Sequence, residues 1–417
     1  MMRKILFTVA GLGALASIVA SGSCAVPECT NPDYSEPECR VIAENELARL
    51  RTPSSIEVRF QDPAARSTAT WDARGRLELE DGVVRARVAG PGRFAISLES
   101  EEGAPDMVTV ELDNVDPSAD VWVDQAGTET PVLAPSDQSL RRSVELAITP
   151  GEPVFVRGRR GCPERYRVAF VSDIQTNPAQ FERIVEQLER ERDDGDIVGE
   201  PLVALVIAGD LTESSRDDEF DLVEGLLRNA PVPVVVTPGN HDIYRPRQPH
   251  FNRRFGPGNH VVEVCGLRLV MLDTGSGAIA RSVEARLPEL FERGDARDVI
   301  VVMHHPPYAG LTGAGWSRED RAQRLLAEAA IANVDLIVAG HAHALRDFPG
   351  ISVGDTTLRQ VIAGTGGAYQ GLGEPRFGYL RVTVGGPDLQ TCFVETPPPG
   401  FSGPQGQGLS DRLDYCP

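Results

Sequence analysis

Two different hydrophobic patterns divide the chain near residue 160. Between about Ile56 and Arg160, short runs such as VVRARV and MVTVEL alternate apolar and polar residues, and clusters of Gly, Pro, Asn and Asp separate them. Alternation with a period of two is typical of strands with one buried face, and turn signals at this spacing indicate an antiparallel sandwich. We therefore predict a β-sandwich domain over residues 55–161, interpreted as a spacer or packing domain rather than a ligand-binding module.

From Tyr166 onward the apolar runs become almost continuous, as in VAFV, LVALVI, VPVVV and VIVVM. Such runs are typical of strands buried on both faces. Helical patterns lie between them, and the first has its apolar residues at i, i+3, i+4 and i+7: Phe181, Ile184, Val185 and Leu188. The pattern predicts a layered α/β (α+β) domain over residues 162–396, followed by a Pro- and Gly-rich tail at 397–417.

The N-terminus has the organisation of an export signal. Arg3 and Lys4 precede an apolar stretch from Ile5 to Ala20, and small residues follow it. We predict a signal peptide at 1–23 and a flexible tether at 24–54, with an uncleaved membrane anchor as the alternative. The expected location is the cell envelope, through a lipid anchor at Cys24, or otherwise the periplasm or the exterior.

Cysteine usage fits an exported protein. The chain has seven cysteines, and six remain once Cys24 is set aside for acylation. Six cysteines can form three disulfides in an oxidising compartment, with 15 possible connectivities. Short loops favour Cys29–Cys39 and Cys392–Cys416, which leaves Cys162–Cys265. No pair has the C-x-x-C spacing of a structural zinc site or a redox dithiol.

Length and charge limit the classes of function. With 417 residues the chain has room for two domains. The formal charge of -20 and the pI near 4.8 argue against nonspecific binding to nucleic acid or to anionic lipid. Membrane association is expected only through the lipid anchor.

Polar residues stand at the carboxyl ends of the predicted buried strands, where ligands of open α/β sheets collect. Five of the seven histidines fall in three of these motifs. Oxygen ligands mixed with imidazoles suit divalent ions such as Mn, Fe, Zn or Mg, and a carboxylate at a strand end could bridge two of them. The residues are Asp173, Gln175, Asp210, Asn240, His241, Asp242, His304, His305, His341 and His343.

The blocks SDIQ, AGDLTE, PGNHDIY, MHHPPY and AGHAHA, in this order, resemble the calcineurin-like metallophosphoesterase family. The resemblance implies a double β-sheet sandwich flanked by helices, here preceded by the β-sandwich domain. It also implies a two-metal centre holding Mn, Fe or Zn, and hydrolysis of a phosphate-ester small molecule by a phosphodiesterase or phosphatase. The stretch FGPGNHVVEVCGLRLVMLDTG is similar to the cyclic-nucleotide-phosphodiesterase-like branch.

Carried over residue by residue, the family pattern assigns roles to nine positions. His304 is preferred over His305 because the family's ligand precedes proline by two residues, which fits Pro306. His241 would stabilise the transition state or protonate the leaving oxygen, and Asp242 would orient it. The implied metal ligands are Asp173, Gln175 and His343 for the first ion, Asp210 as the bridge, and Asn240, His304 and His341 for the second.

Gln175 departs from the family's usual histidine. Some branches, including the manganese-dependent ADP-ribose/CDP-alcohol diphosphatases, resemble this chain in having glutamine there. An amide oxygen is a hard, neutral donor that binds more weakly than imidazole and favours harder ions. Two alternatives therefore stay open: a surface binding protein with a vestigial phosphoesterase domain, and a diphosphate-cleaving hydrolase.

Overall fold

The computed structural model describes residues 29, 33–61, 75–101, 105–134, 139–310, 315–370, 375–398 and 413–416. The predicted signal peptide and Cys24 lie outside these residues, as does most of the predicted tail. Among the described helices, none is long and apolar enough to cross a membrane.

The N-terminal part folds as a β-sandwich of two sheets. Its strands are β1 (Arg49–Arg51), β2 (Glu57–Gln61), β3 (Gly75–Glu80), β4 (Val83–Val88), β5 (Phe94–Glu99), β6 (Asp106–Asp113), β7 (Ala119–Gln125), β8 (Thr128–Pro131), β9 (Arg142–Ile148) and β10 (Val154–Arg160). One sheet has the order β1-β2-β5-β10-β7-β8, and the other has the order β3-β4-β6-β9. The predicted sandwich is confirmed, and Phe60, Ile96 and Val110 are in its core.

One strand pair differs from the prediction of an antiparallel sandwich. β4 pairs with β6 in parallel, with Val84 opposite Val110. The strand between them in sequence, β5, lies in the other sheet. Because the chain crosses to the second sheet and returns, β6 enters the first sheet running in the same direction as β4.

Two further sheets form the C-terminal part. The first has the order β13-β12-β11-β20-β21-β22, and the second has the order β14-β15-β16-β17-β19-β18. The strands are β11 (Tyr166–Val171), β12 (Leu202–Ile207), β13 (Val234–Val236), β14 (His260–Val264), β15 (Leu267–Leu272), β16 (Asp298–Met303), β17 (Leu336–Ala339), β18 (Leu345–Val353), β19 (Thr356–Ala363), β20 (Gly378–Val384), β21 (Gln390–Glu395) and β22 (Asp414–Tyr415).

The two C-terminal sheets pack face to face and are covered by helices. Phe170 and Val206 of one sheet share a core with Met271 and Val302 of the other. This arrangement confirms the predicted double sheet with helices on the outside. The helices of the whole chain are α1 (Pro37–Leu47), α2 (Pro178–Val198), α3 (Asp217–Leu227), α4 (His250–Phe255), α5 (Arg281–Glu284), α6 (Leu287–Leu290) and α7 (Glu319–Ile331), with a 3₁₀ turn at His241–Ile243.

The structure corrects the predicted tether for residues 37–51, which form α1 and β1. Arg40 of α1 is buried and forms an ion pair with buried Asp273, 2.5 Å between Nε and Oδ2. Glu44 accepts hydrogen bonds from the backbone N–H groups of Gly258 at 2.8 Å and Asn259 at 3.2 Å. Arg40 and Glu44 thus have partners more than 200 residues away in the chain, so α1 is packed against the C-terminal part.

Three disulfides lie among the described residues: Cys29–Cys39, Cys162–Cys265 and Cys392–Cys416. The predicted pairing is confirmed. The second bond joins the segment between β10 and β11 to the turn between β14 and β15, so it links the boundary of the sandwich to the second C-terminal sheet.

Candidate metal centre

The ends of five strands bring the predicted ligands together at one edge of the two C-terminal sheets. Asp173, Asp210 and Asn240 follow β11, β12 and β13, and His304 and His341 follow β16 and β17. All five strands belong to the parallel parts of their sheets. The prediction that these strand ends face one crevice agrees with this placement.

Glycines allow the loops to approach each other at this edge. A Cβ on Gly239 would lie 2.1 Å from Oδ1 of Asp210, and one on Gly340 would lie 1.9 Å from Oγ of Ser172. No real Cβ tolerates such contacts, so the glycines of the GNHD and GHAH blocks are required by close packing around Asp210 and Asp173.

Four of the predicted ligands have backbone conformations that are unusual for their residue type. The φ angles are +60° at Asp173, +55° at Asp210, +69° at His341 and +43° at His343. A non-glycine residue in the left-handed region is destabilising by roughly 1–3 kcal/mol and persists only where its surroundings fix it. Such strain concentrates at functional sites, and here it occurs in three loops, those after β11, β12 and β17, whose candidate ligands lie close together.

The first group of candidate ligands is Asp173, Asp210 and His343, whose donor atoms lie within 4.8 Å of one another. The amide Nε2 of Gln175 lies 3.2 Å from Oδ2 of Asp210 and 3.3 Å from Nε2 of His343. Its Oε1 is buried without a hydrogen-bond partner. Because amide oxygen and nitrogen are assigned from surroundings, a half-turn of this amide directs its oxygen at the group, as a metal ligand requires.

The second group surrounds His304. Its Nδ1 lies 2.9 Å from the carbonyl oxygen of Ala208, which can only accept, so Nδ1 carries the proton. Its Nε2 then faces Oδ1 of Asn240 at 3.1 Å and Oδ2 of Asp210 at 3.1 Å. These three atoms all present electron pairs toward one another, and this arrangement is unfavourable unless a cation or a second proton lies between them. The donor set therefore fits a divalent ion.

His343 shows the same orientation. Its Nδ1 lies 2.9 Å from the carbonyl oxygen of Tyr369, and its Nε2 lies 3.3 Å from Oδ1 of Asp173. A histidine that donates one ring N–H to a backbone carbonyl presents the other nitrogen as a ligand in a fixed direction. Tyr369 thus contributes its backbone to the site, a contribution that its side-chain type does not indicate.

His241 lies beside this group at the start of the 3₁₀ turn. Its Nδ1 lies 2.7 Å from the carbonyl oxygen of Glu213, and its ring centroid lies 4.7 Å from that of Tyr244. The carbonyl again fixes the proton on Nδ1, so Nε2 is left to face a substrate. The backbone N–H of His241 donates to Oδ1 of Asp210 at 2.9 Å, which couples the position of this histidine to the predicted bridging ligand.

The structure corrects the role predicted for Asp242. Its carboxylate does not contact the His241 ring but accepts from the backbone N–H groups of Leu211, Thr212 and Gly239, each at 2.9 Å. It is 1% exposed. Asp242 therefore ties the loop after β12 to the loop after β13, and the Glu213 carbonyl takes the orienting role. A sequence motif shows adjacency along the chain but not the direction of a side chain.

Comparison with known proteins identifies the C-terminal part. The model of the calcineurin-like phosphoesterase family matches residues 166–345. Residues 166–345 are a calcineurin-like phosphoesterase domain. The candidate ligands of its divalent metal centre lie within or at the end of this range.

Two curated relatives match parts of this chain. A probable cyclic nucleotide phosphodiesterase from Fibrobacter succinogenes is 25% identical over 146 residues, 33% of this chain and 57% of its own length. A probable glycerophosphodiester phosphodiesterase from Arcobacter nitrofigilis is 26% identical over 113 residues, 25% of this chain and 41% of its own length. The chain therefore spans only about half the length of these relatives.

Among solved structures, the chain is similar to purple acid phosphatase from yellow lupin (Lupinus luteus) seeds. The TM-score is 0.47 at 13% identity, covering 75% of this chain and 79% of the lupin chain.

Electrostatics at the phosphoesterase centre are dominated by burial and by the carboxylates. Burial lowers the pKa of His304, but the neighbouring Asp210 carboxylate outweighs it and raises this pKa to about 9. Burial likewise raises the pKa of Asp210, and His304 with the His241 N–H holds it below its usual value. A proton and a divalent cation therefore compete for the same position between Asp210 and His304.

His305 is a candidate that the sequence ranked below His304. The donor atoms of His304, His305 and His341 lie within 4.8 Å of one another, and the rings of His305 and His341 are 4.0 Å apart between centroids. Nδ1 of His305 is buried without a hydrogen-bond partner. Burial and nearby His304 lower the pKa of His305 to about 2, so its ring is neutral and able to bind a cation. The spacing to proline in the sequence does not show that His305 lies beside His304 and His341.

Proposed function

We propose that the chain is a metal-dependent hydrolase of phosphoric esters, with phosphodiesters as its preferred class. The proposal rests mainly on the convergence of three electron-pair donors. Nε2 of His304 lies 3.1 Å from Oδ1 of Asn240 and 3.1 Å from Oδ2 of Asp210. Both curated relatives are named as probable phosphodiesterases, which supports the choice of ester.

Two divalent cations, of Mn, Fe or Zn, are proposed for the site. Asp173, Gln175 and His343 would hold one, Asp210 would bridge, and Asn240, His304 and His341 would hold the other. When bound, such ions polarise phosphoryl oxygens as Lewis acids and make water a nucleophile near neutral pH. The carboxylates and imidazoles of this donor set suit that pair of ions.

His241 is proposed as the proton donor to the leaving group. Water loses one proton to solvent as its oxygen bonds to phosphorus, the bond from phosphorus to the alcohol oxygen breaks, and Nε2 of His241 gives its proton to that oxygen. The imidazole then regains a proton from solvent. The Glu213 carbonyl, 2.7 Å from Nδ1, keeps the second ring proton in place and stabilises the imidazolium before transfer. Asp210 accepts a hydrogen bond from the backbone N–H of His241 and so keeps the His241 ring beside the proposed metal ligands.

The test is turnover of bis(4-nitrophenyl) phosphate and 4-nitrophenyl phosphate by protein stripped of metal and supplied with Mn or Zn. We expect metal-dependent hydrolysis with the diester preferred. His241→Asn should keep the metal content and lose about 10²–10⁴-fold in kcat. A fully active His241→Asn enzyme would refute the role of His241. Absence of metal-dependent turnover on either ester, with two metals bound, would move the proposal to a diphosphate substrate.

Export to the cell envelope is proposed as well. The signal-like N-terminus and Cys24 motivate it, and three disulfides agree with an oxidising compartment. The experiment is fractionation of cells that express the full chain and its Cys24→Ser variant. We expect the chain in the membrane fraction and the variant in the soluble extracytoplasmic fraction; equal distributions would contradict the lipid anchor.

A further inference from the structure

A cleft of about 550 Å³ opens beside the metal centre. Asn240, a proposed metal ligand, and Tyr244 belong to its lining, and the amide nitrogen of Asn240 donates to the Tyr244 hydroxyl at 2.9 Å. Small-molecule sites have volumes of roughly 300–1,000 Å³, so the cleft has the size of a ligand site. Anything bound in it lies next to the side chain of Asn240.

One wall of this cleft comes from an unexpected part of the chain. Ser35, Glu36 and Pro37 line it, and they precede the whole β-sandwich in sequence. We call residues 33–40 the N-terminal wall. It is attached to the loop that follows the GNHD block, because the Tyr34 N–H donates to the carbonyl oxygen of Pro246 at 2.7 Å.

Hydrogen bonds from Arg40 fix the position of the N-terminal wall. Its guanidinium donates to the carbonyl oxygens of Tyr34 at 2.6 Å and Ser35 at 3.1 Å, and to both carboxylate oxygens of Asp273. It also donates to Oγ of Ser276, which lines the cleft and itself donates to the Ser35 carbonyl. One buried cation therefore joins the N-terminal wall to the loop after β15.

The disulfide Cys29–Cys39 adds a second constraint on the same segment. Its two cysteines are separated by 10 positions in sequence, and the cleft-lining Ser35, Glu36 and Pro37 lie between them. Cys39 is 8% exposed within α1, so this end of the loop is anchored in the fold. The wall is thus fixed at both ends, which is expected of a surface that selects ligands by shape.

The lining of the cleft also includes Ser317 and Arg318, both exposed. Apolar contact area comes from Ile243, Pro37 and the ring of Tyr244, which is 52% exposed. These apolar surfaces and the accessible aromatic ring, in a lining that also has polar and charged residues, favour a flat or ring-bearing group with polar substituents over a small alkyl group.

We propose that the N-terminal wall makes this cleft a specificity site for a bulky, ring-bearing organic group of a phosphodiester. The inference rests on the proposed function, since it assumes that the phosphorus lies at the metal centre. One organic group of the diester then extends from Asn240 between the N-terminal wall and Ser317. A methyl group leaves the cleft unfilled, and a group of nucleoside size fills it.

The test compares two diesters that release the same 4-nitrophenolate: thymidine 5′-(4-nitrophenyl phosphate) and methyl 4-nitrophenyl phosphate. Ser317→Trp narrows the cleft from its exposed side. Ser352→Trp, at an exposed serine on β18 outside the cleft lining, is the matched control. We expect Ser317→Trp to raise KM for the thymidine diester about tenfold, equivalent to ~1.4 kcal/mol, and to leave the methyl diester within about twofold. Equal effects on both diesters, or none, would overturn the proposal.

A second pair of variants tests the wall itself. Removing Cys29–Cys39 by serine substitution at both positions should raise KM for the thymidine diester and spare the methyl diester. Removing Cys392–Cys416 in the same way is the control, because that bond joins β21 to the residue after β22 and neither cysteine lines the cleft. An identical response of the two disulfide variants would contradict a selective role for the N-terminal wall.

A binding measurement distinguishes failure of this inference from failure of the proposed function. Calorimetric titration of the metal-loaded protein with thymidine 5′-phosphate and with methyl phosphate measures the cleft without turnover. If neither diester is hydrolysed, the proposed function fails, but tighter binding of thymidine 5′-phosphate that is lost in Ser317→Trp still supports the cleft. Equal binding of the two phosphates overturns it.

Discussion

Replacing Arg40 by methionine is the perturbation whose effect the structure defines best. Methionine has a similar length and is apolar, so it occupies the same buried space without the charge. The change removes five hydrogen bonds: to Asp273 at 2.5 and 2.8 Å, to the Tyr34 and Ser35 carbonyls at 2.6 and 3.1 Å, and to Ser276 at 3.1 Å. It leaves the Asp273 carboxylate buried without its cation.

Removing one partner of a buried ion pair destabilises a protein by about 3–5 kcal/mol. The lower end applies here, because the Gly275 N–H still donates to Asp273 at 2.9 Å. We therefore expect a loss of about 3 kcal/mol from the free energy that holds α1 on the phosphoesterase domain. The loss is local, since the sheets of the domain have their own cores without Arg40.

Hydrogen exchange of peptides from α1, followed by mass spectrometry, measures this local free energy. Arg40→Met should expose α1 amides about a hundredfold more often than the unmodified chain, while β12 amides stay protected. The double variant Arg40→Met/Asp273→Asn removes both charges of the ion pair and should recover part of the loss. Unchanged α1 exchange in Arg40→Met would refute the view that this ion pair secures the segment.

Three further changes follow from the same structure. Burial, with the Asp273 carboxylate, raises the pKa of Glu44 from 4.5 to about 8, so the folded chain keeps a proton that the unfolded chain releases between these values. The free energy of unfolding should therefore fall as pH rises through that window, by up to ~1.4 kcal/mol per pH unit. Glu44→Gln should flatten the slope of the denaturation midpoint against pH, and an unchanged slope would contradict this. Asp242→Ala leaves three buried N–H groups unpaired, so it should lower both the melting temperature, measured by calorimetry, and the retained metal, measured by elemental analysis. Retention of full metal content would contradict the role of Asp242 in joining the two loops. Gln175→His should slow metal loss during dialysis, because imidazole donates more strongly than an amide oxygen; equal retention would show that position 175 is not a ligand.

Much of the fold and of the site could be predicted because the relevant signals are local in sequence. Continuous apolar runs revealed the buried strands, and the polar residues placed after Val171, Ile207, Val236 and Met303 revealed the shared edge. Strand ends converge by the geometry of parallel pairing, so sequence position there translates directly into spatial position.

The features that escaped prediction depend on contacts between distant residues. The segment that contains Arg40 is rich in Pro, Asp and Glu, which predicts a tether, and only the ion pair with Asp273 shows that α1 belongs to the fold. Asp242 follows His241 in the chain, but its carboxylate turns to the backbone of Leu211, Thr212 and Gly239. In both cases the residue type was consistent with two environments, and only the tertiary partner decided between them.

The most direct test of a divalent metal centre with phosphodiesterase activity is a metal titration of the stripped protein and its Asp210→Asn variant. Bound Mn and the rate of bis(4-nitrophenyl) phosphate hydrolysis are measured on the same samples. We predict that the unmodified chain binds two ions and gains activity in step with the second, and that Asp210→Asn loses both ion retention and turnover. Hydrolysis that is independent of added metal, or an Asp210→Asn variant with full metal content and full rate, would contradict the account.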